Sequence, residues 1–336
     1  YNTNGLVYQV QAEGSLVQFA LNANGYLSLI TKEEKGYRIS VYDAKGNILK
    51  ARVEESSGVY PLCSDVSDDN RYFAVSYVDT SDIKLTGRIL FFYINSTDSE
   101  NYADSMFAAV EKNNELPAKL GFMEGNILCV LTDSSLSGYN TSGEENWNIA
   151  LTNTVSQISF GNKEEVVLAL GESLSGMEGV EKNTFIAVSS KGTQKFSNQT
   201  EKEITYLYSG ADGIVAGCDR NYKGFTLSGR ESWTYTATMD LNSIFPLGNI
   251  QTVMIVSQES AMLADMRKIQ STENQQEDQE TEPAAEGENT PESTTNPTDT
   301  NTDETVPENG DTQNSEKDTA AEDQEGTADT DNTQGT

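Results

Sequence analysis

Short apolar runs recur along the first 270 residues, at 26–30, 72–77, 127–131, 166–170, 213–216 and 252–256. Each is of strand length and predominantly apolar, the pattern of a strand covered on both faces. Hairpin-like units alternate with these runs: a β-rich stretch, a turn built on glycine, then a stretch ending on an aromatic or aliphatic residue. They run from Val7-Tyr8 through Gly14 to Phe19, from Val41-Tyr42-Asp43 through Gly46 to Leu49, and from Gly138-Tyr139-Asn140 through Gly143 to Trp147. Two more run from Ala187-Val188 through Gly192 to Phe196 and from Phe225-Thr226 through Gly229 to Trp233. A strand at 89–93 has the same character, although its turn at 95–98 lacks glycine, and 261–265 is a last weak copy. Glycine is what a tight hairpin needs where φ turns positive. Helical periodicity is confined to 102–112, which also suits an outer-loop turn.

Seven hairpins result, and their glycines repeat at 32 residues (Gly14 to Gly46), 49 (Gly143 to Gly192) and 37 (Gly192 to Gly229). Self-similarity on this scale marks a propeller. The pattern predicts an all-β fold: a β-propeller of about seven four-stranded blades, six to eight in range, over residues 1–270. A sandwich or a twisted open array is the alternative. The first copy opens on the second half of a unit. Its inner strands are therefore expected upstream or from closure between the termini, and the ring is expected to be incomplete at its amino-terminal end.

Charge separates the rest of the chain. Residues 271–336 carry 20 Asp and Glu against Lys317 alone, a net −19 of the chain's −31, and Val306 is their one large apolar side chain. Such a segment cannot bury enough surface to offset the entropy of ordering it, so 271–336 is expected to be a disordered acidic tail. An acidic body and tail exclude a nucleic-acid partner, which needs clustered Lys and Arg. No apolar run approaches the roughly 20 residues that span a bilayer as a helix. The chain opens on Tyr1 with neither Met nor signal peptide, as expected of a fragment or trimmed product.

Several chemistries lack their residues. There is no histidine, which removes His-based triads and most zinc sites. Cys63, Cys129 and Cys218 are scattered without ligand spacing and read as buried hydrophobes, with at most one disulfide among them. No P-loop, GxSxG or HExxH pattern occurs, no cofactor is called for, and no catalytic residue is assigned. The densest carboxylate cluster is Asp65, Asp68 and Asp69 beside Asn70, the weak metal candidates of the chain. Their order fits no known Ca²⁺ loop, and a turn capped by Asp side chains is the better account.

Residues 57–62 (Ser-Gly-Val-Tyr-Pro-Leu), 67–70 (Ser-Asp-Asp-Asn), 73–77 (Phe-Ala-Val-Ser-Tyr) and 91–95 (Phe-Phe-Tyr-Ile-Asn) resemble an uncharacterised family of membrane-anchored, WD40-like β-propellers from Gram-positive, Clostridia-type bacteria. The similarity extends over about 7–265. Asn70 stands where the family's turn has Gly, a position Asn tolerates. The resemblance implies a single transmembrane helix upstream of Tyr1 and a propeller on the extracytoplasmic face of the membrane; it carries no catalytic residue. The endings Gly143 to Trp147 and Gly229 to Trp233 are also shared with quinoprotein propellers, where the Trp packs between blades. The sequons at Asn95, Asn140 and Asn198 carry little meaning in a bacterial protein.

These features point to a non-enzymatic, monomeric propeller that binds a protein or cell-wall partner. Tyr60, Tyr77, Tyr93, Tyr139, Tyr206, Tyr208 and Tyr222 are candidates for stacking on sugars or for blade packing. A carboxylate-dependent polysaccharide hydrolase or lyase with its acids in the central channel is one alternative. An anchored sensor is another.

Overall fold

In the computed structural model the described residues are 5–94, 105–174 and 176–269. They form antiparallel sheets in strict chain order, the arrangement of propeller blades. Blade 1 comprises β1 (Ser15–Leu21), β2 (Leu27–Glu33), β3 (Gly36–Tyr42) and β4 (Ile48–Glu54). Blade 2 comprises β5 (Val59–Val66), β6 (Tyr72–Asp79), β7 (Thr86–Tyr93) and β8 (Met106–Asn113). Blade 3 follows with β9 (Lys119–Met123), β10 (Ile127–Leu131), β11 (Ser135–Tyr139) and β12 (Glu145–Ala150). Blade 4 is β13 (Asn153–Ser159), β14 (Glu165–Ser173), β15 (Thr184–Ser189) and β16 (Gln194–Gln199). Blade 5 is β17 (Tyr206–Gly210), β18 (Gly213–Cys218), β19 (Asn221–Phe225) and β20 (Glu231–Thr236). Blade 6 has three strands, β21 (Ser243–Pro246), β22 (Thr252–Val256) and β23 (Ala261–Asp265).

The apolar runs of the sequence are the second strands β2, β6, β10, β14, β18 and β22. Those of blades 2 to 5 are buried along most of their length, because sheets cover both of their faces. Five apolar cores join successive blades. Ile30 and Ile39 meet Phe73 and Val75 between blades 1 and 2, and Phe91 meets Phe122 and Leu128 between blades 2 and 3. Leu131 meets Leu168 next, then Phe185 meets Ile214, and finally Trp233 meets Val253 between blades 5 and 6. No core among the described residues joins blade 6 to blade 1.

The repeating glycine turn closes the outer hairpin of a blade. The N–H of Gly46, Gly143, Gly192 and Gly229 donates to the carbonyl of Asp43, Asn140, Ser189 and Thr226 at 2.9–3.0 Å, with φ between 76° and 84°. A bulge just ahead of each turn completes the hairpin geometry. The first residue of the turn caps it: the Asp43 carboxylate accepts from the N–H of Lys45 and Asn47. Asn140 repeats this with Ser142 and Glu144.

Three expectations change. The described residues form six blades, within the expected range, and Gly14 is no hairpin turn: residues 6–13 form no strand, and β1 begins just after Gly14 as the innermost strand of blade 1. Glycine is required at 14 because a Cβ would collide with the Lys32 carbonyl across the sheet. The copy at 261–265 is β23, the third strand of blade 6, with no fourth strand paired to it among the described residues. The helix-like stretch at 102–112 is strand from Met106 onward, the outer strand of blade 2, alternating toward and away from solvent. The turn at 95–98 and the tail 271–336 lie outside the described residues.

Candidate functional site: the mouth of the central channel

The innermost strands β1, β5, β9 and β13 frame a channel of about 740 Å³. Gln18, Asn22, Asp65, Lys119, Phe160 and Lys163 are among its lining residues. Asp65, near the end of β5, is 6% exposed and accepts a hydrogen bond from the Phe122 N–H of blade 3 at 2.8 Å. Lys163, in the turn between β13 and β14, extends its ammonium to 4.0 Å from Asp65 Oδ2 and 3.7 Å from Asp68 Oδ1. The same ammonium donates to the Phe122 carbonyl at 3.1 Å. One side chain from blade 4 therefore ties down blades 2 and 3. Burial pushes the Asp65 carboxyl above the usual carboxylate range, against the pull of Lys163 and the Phe122 N–H.

Amides extend the frame to blade 1. Asn22 is buried and donates to the Ser67 carbonyl at 3.0 Å and to Asn70 Oδ1 at 2.7 Å. Gln18 exchanges hydrogen bonds with the Ser64 main chain at 3.2 and 3.1 Å. Two further junctions carry equivalent clasps. The Ser209 N–H donates to Ser159 Oγ at 2.9 Å, and the Tyr206 hydroxyl donates to the Ile244 carbonyl at 2.9 Å.

The carboxylate cluster of the sequence is thus divided. Asp69 is a turn cap: it accepts from Ser67 Oγ at 2.6 Å and the Arg71 N–H at 3.1 Å, and Asn70 behind it adopts φ 58°. Its other oxygen accepts from Asn126 Nδ2 at 2.8 Å. Asp65 and Asp68 face Lys163 instead. Among the described residues, no three Asp, Glu, Cys or His side chains come together as a metal-ligand set.

Most of the candidate tyrosines pack between or within blades. Tyr77, Tyr139 and Tyr222 are buried, Tyr93 lies 4.2 Å from the Phe107 ring, and Tyr208 lies 5.6 Å from Phe245. Tyr60 alone of the seven is exposed, set edge-on to Tyr37. Both tryptophans bridge blades: Trp147 Nε1 donates to the Ser190 carbonyl at 2.8 Å and Trp233 Nε1 to the Ile250 carbonyl at 2.6 Å. The three cysteines are free, with Cys63 and Cys129 buried.

Sequence reasoning missed Lys163, Gln18 and Asn22. Each acts on a strand or turn far away in the chain, so no local spacing announces it. Glu165 was missed as well. It is 1% exposed at the start of an apolar strand, with Lys195 at 3.6 Å, and burial raises its carboxyl.

The sheet order and the polar frame define a β-propeller. The chain belongs to the Family of unknown function (DUF5711), whose model matches residues 1–264. Among curated proteins no sequence matches it. Similar solved structures include the dihydro-heme d1 dehydrogenase NirN in complex with DHE, 10% identical with a TM-score of 0.51, covering 76% of this chain and 55% of that one. The Neurospora crassa Pan2 WD40 domain is 6% identical with a TM-score of 0.47, covering 74% of this chain and 88% of that one. BamB from Moraxella catarrhalis is 12% identical with a TM-score of 0.39, covering 70% and 68%. At these identities the likeness is one of fold.

Proposed function

We propose that this chain is a binding scaffold: a rigid propeller, held by a membrane anchor outside the cytoplasm of a Gram-positive bacterium, that presents one face to a protein or cell-wall partner. The observation that carries it is the ion cluster at the channel mouth. Asp65, Asp68 and Lys163 are spent on one another and on the main chain of neighbouring blades. That chemistry stiffens a frame, and a stiff frame with variable loops is a recognition surface. The anchor and the location rest on the family resemblance; the acidic segment 271–336 would serve as a solvated spacer.

A carboxylate-dependent hydrolase or lyase needs one acid free to donate a proton and another free to act as base or nucleophile. Here an ammonium stands between the two acids, and Asp65 is closed off by the Phe122 N–H. Proximity labelling by the anchored chain in its native cell tests the scaffold, with a small reproducible set of extracytoplasmic neighbours expected. Release of new reducing ends from cell-wall polysaccharide by the purified chain, abolished in Asp68→Asn, would contradict it.

A further inference from the structure

Side chains of the inner strands tie one blade to the main chain of the next at four junctions. Gln18 donates to the Ser64 carbonyl, Asp65 and Ser159 accept from the Phe122 and Ser209 N–H groups, and Tyr206 donates to the Ile244 carbonyl. The inner strand of blade 3 has no such tie to blade 4. Gly121 lies beneath the Phe160 ring, where a Cβ would meet the ring at 2.6 Å. Lys119, two residues earlier on β9, makes no hydrogen bond or ion pair among the described residues, yet it is exposed and lines the channel. An ammonium without a partner is thus available to a ligand in a cavity of about 740 Å³. That volume falls within the range of small-molecule sites, about 300–1,000 Å³.

The charges are sorted along the channel. Lys119 opens β9, and Phe122, whose N–H holds Asp65 near the mouth, stands three residues further on, about 10 Å along an extended strand. At the mouth, acids are in excess. Asp65 and Asp68 share the ammonium of Lys163, and the neighbouring Glu164 is exposed, with no partner for its carboxylate among the described residues. Ile158 and Phe160 supply an apolar wall. A free cation at the inner end, an apolar wall and a free acid at the mouth complement a molecule with a carboxylate at one end, an ammonium at the other and apolar groups between. An extended peptide covers about 10 Å in three residues.

We propose that the channel binds a short apolar peptide, carboxyl end first, with its terminal carboxylate on Lys119 and its terminal ammonium at Glu164. The inference rests on the reading of the channel as a binding feature rather than a catalytic one, and it names what the channel takes. Lys163, held by two acids and the Phe122 carbonyl, positions the mouth and leaves the peptide's carboxylate to Lys119.

The test offers the full chain an equimolar mixture of all tripeptides built from Ala, Leu and Phe. Those retained on ultrafiltration are read by mass spectrometry, and the best retained is titrated by calorimetry as the free peptide, the carboxyl-terminal amide and the N-acetyl form. We expect the amide and the N-acetyl form each to bind about tenfold or more weakly than the free peptide, the loss of one charged hydrogen bond. Lys119→Met should bring the free peptide down to the level of the amide and leave the amide unchanged. Glu164→Gln should do the same for the N-acetyl form. Both side chains are exposed, so both variants should keep the circular dichroism of the native chain. Retention of no tripeptide would overturn the proposal, while the scaffold reading would still stand or fall on its own proximity labelling. Equal affinity of the free peptide for Lys119→Met and the native chain would also overturn it. So would an equal loss of free peptide and amide in Lys119→Met, which would trace the effect to the shape of the cavity.

Discussion

Lys163 reaches from the β13–β14 turn of blade 4 to within 4.0 Å of Asp65 on blade 2, passing the Phe122 main chain of blade 3 on the way. Three blades therefore depend on one ammonium. Lys163→Met leaves Asp65 buried without its counter-charge and should cost about 1–2 kcal/mol, less than a fully buried pair because the lysine side chain is 29% exposed. The midpoint of urea unfolding reads this. No change in midpoint would show that the clasp is incidental.

The Asp65 carboxyl is raised by burial, so the folded chain holds its proton more firmly than the unfolded chain does. Its contribution to stability therefore falls as pH rises from the ordinary carboxylate pKa through the raised folded value, and is level above that. Asp65→Asn keeps an acceptor for the Phe122 N–H and removes this titration. The stability of the native protein minus that of the variant should decrease across that window. A difference that stays flat with pH would refute the assignment.

Two turn glycines separate backbone strain from crowding. Gly248 has φ 78° and nothing near its missing Cβ, so Gly248→Ala should cost about 1 kcal/mol. Gly229 has φ 81° and lies under the Phe196 ring, so Gly229→Ala should cost about 2–3 kcal/mol. Phe196→Leu should recover part of the second loss and none of the first. Equal costs for the two alanine variants would mean that the aromatic-over-glycine contact has no energetic weight.

Thiol accessibility distinguishes the cysteines. Cys129 is fully enclosed and burial pushes its thiol far up, and Cys63 is buried with its Sγ donating to the Ala118 carbonyl at 3.1 Å. Cys218 is partly exposed, with its thiol also raised by burial. A thiol-specific chromophore at mildly alkaline pH should modify one cysteine of the native chain, Cys218, and all three after unfolding. Rapid native modification of Cys129 would contradict the packing between blades 3 and 4.

The parts of this fold that were legible in the sequence are those decided locally. The glycines at 46, 143, 192 and 229 announced their turns because the requirement for positive φ lies within four residues. The second strands announced themselves because burial on both faces leaves few polar positions. Gly14 misled for the opposite reason: what demands glycine there is the Lys32 carbonyl on the neighbouring strand. Met106 to Asn113 looked helical because Ala108, Ala109 and Val110 fit a helix as well as an outer strand, and only pairing with β7 decides between them. At the channel, Asp65 and Asp68 stood out by crowding. Their partner Lys163 did not, since it comes from another blade's turn.

Amide hydrogen exchange on the 336-residue chain tests most directly the claim that the six described blades are joined in series, with no apolar core among the described residues joining the sixth to the first. Strands β6, β10, β14 and β18 should be the slowest to exchange, with β1 and β23 distinctly faster. Exchange in β1 as slow as in β5, in the unmodified monomer, would contradict the account, because it would mean that the flank of blade 1 is already covered.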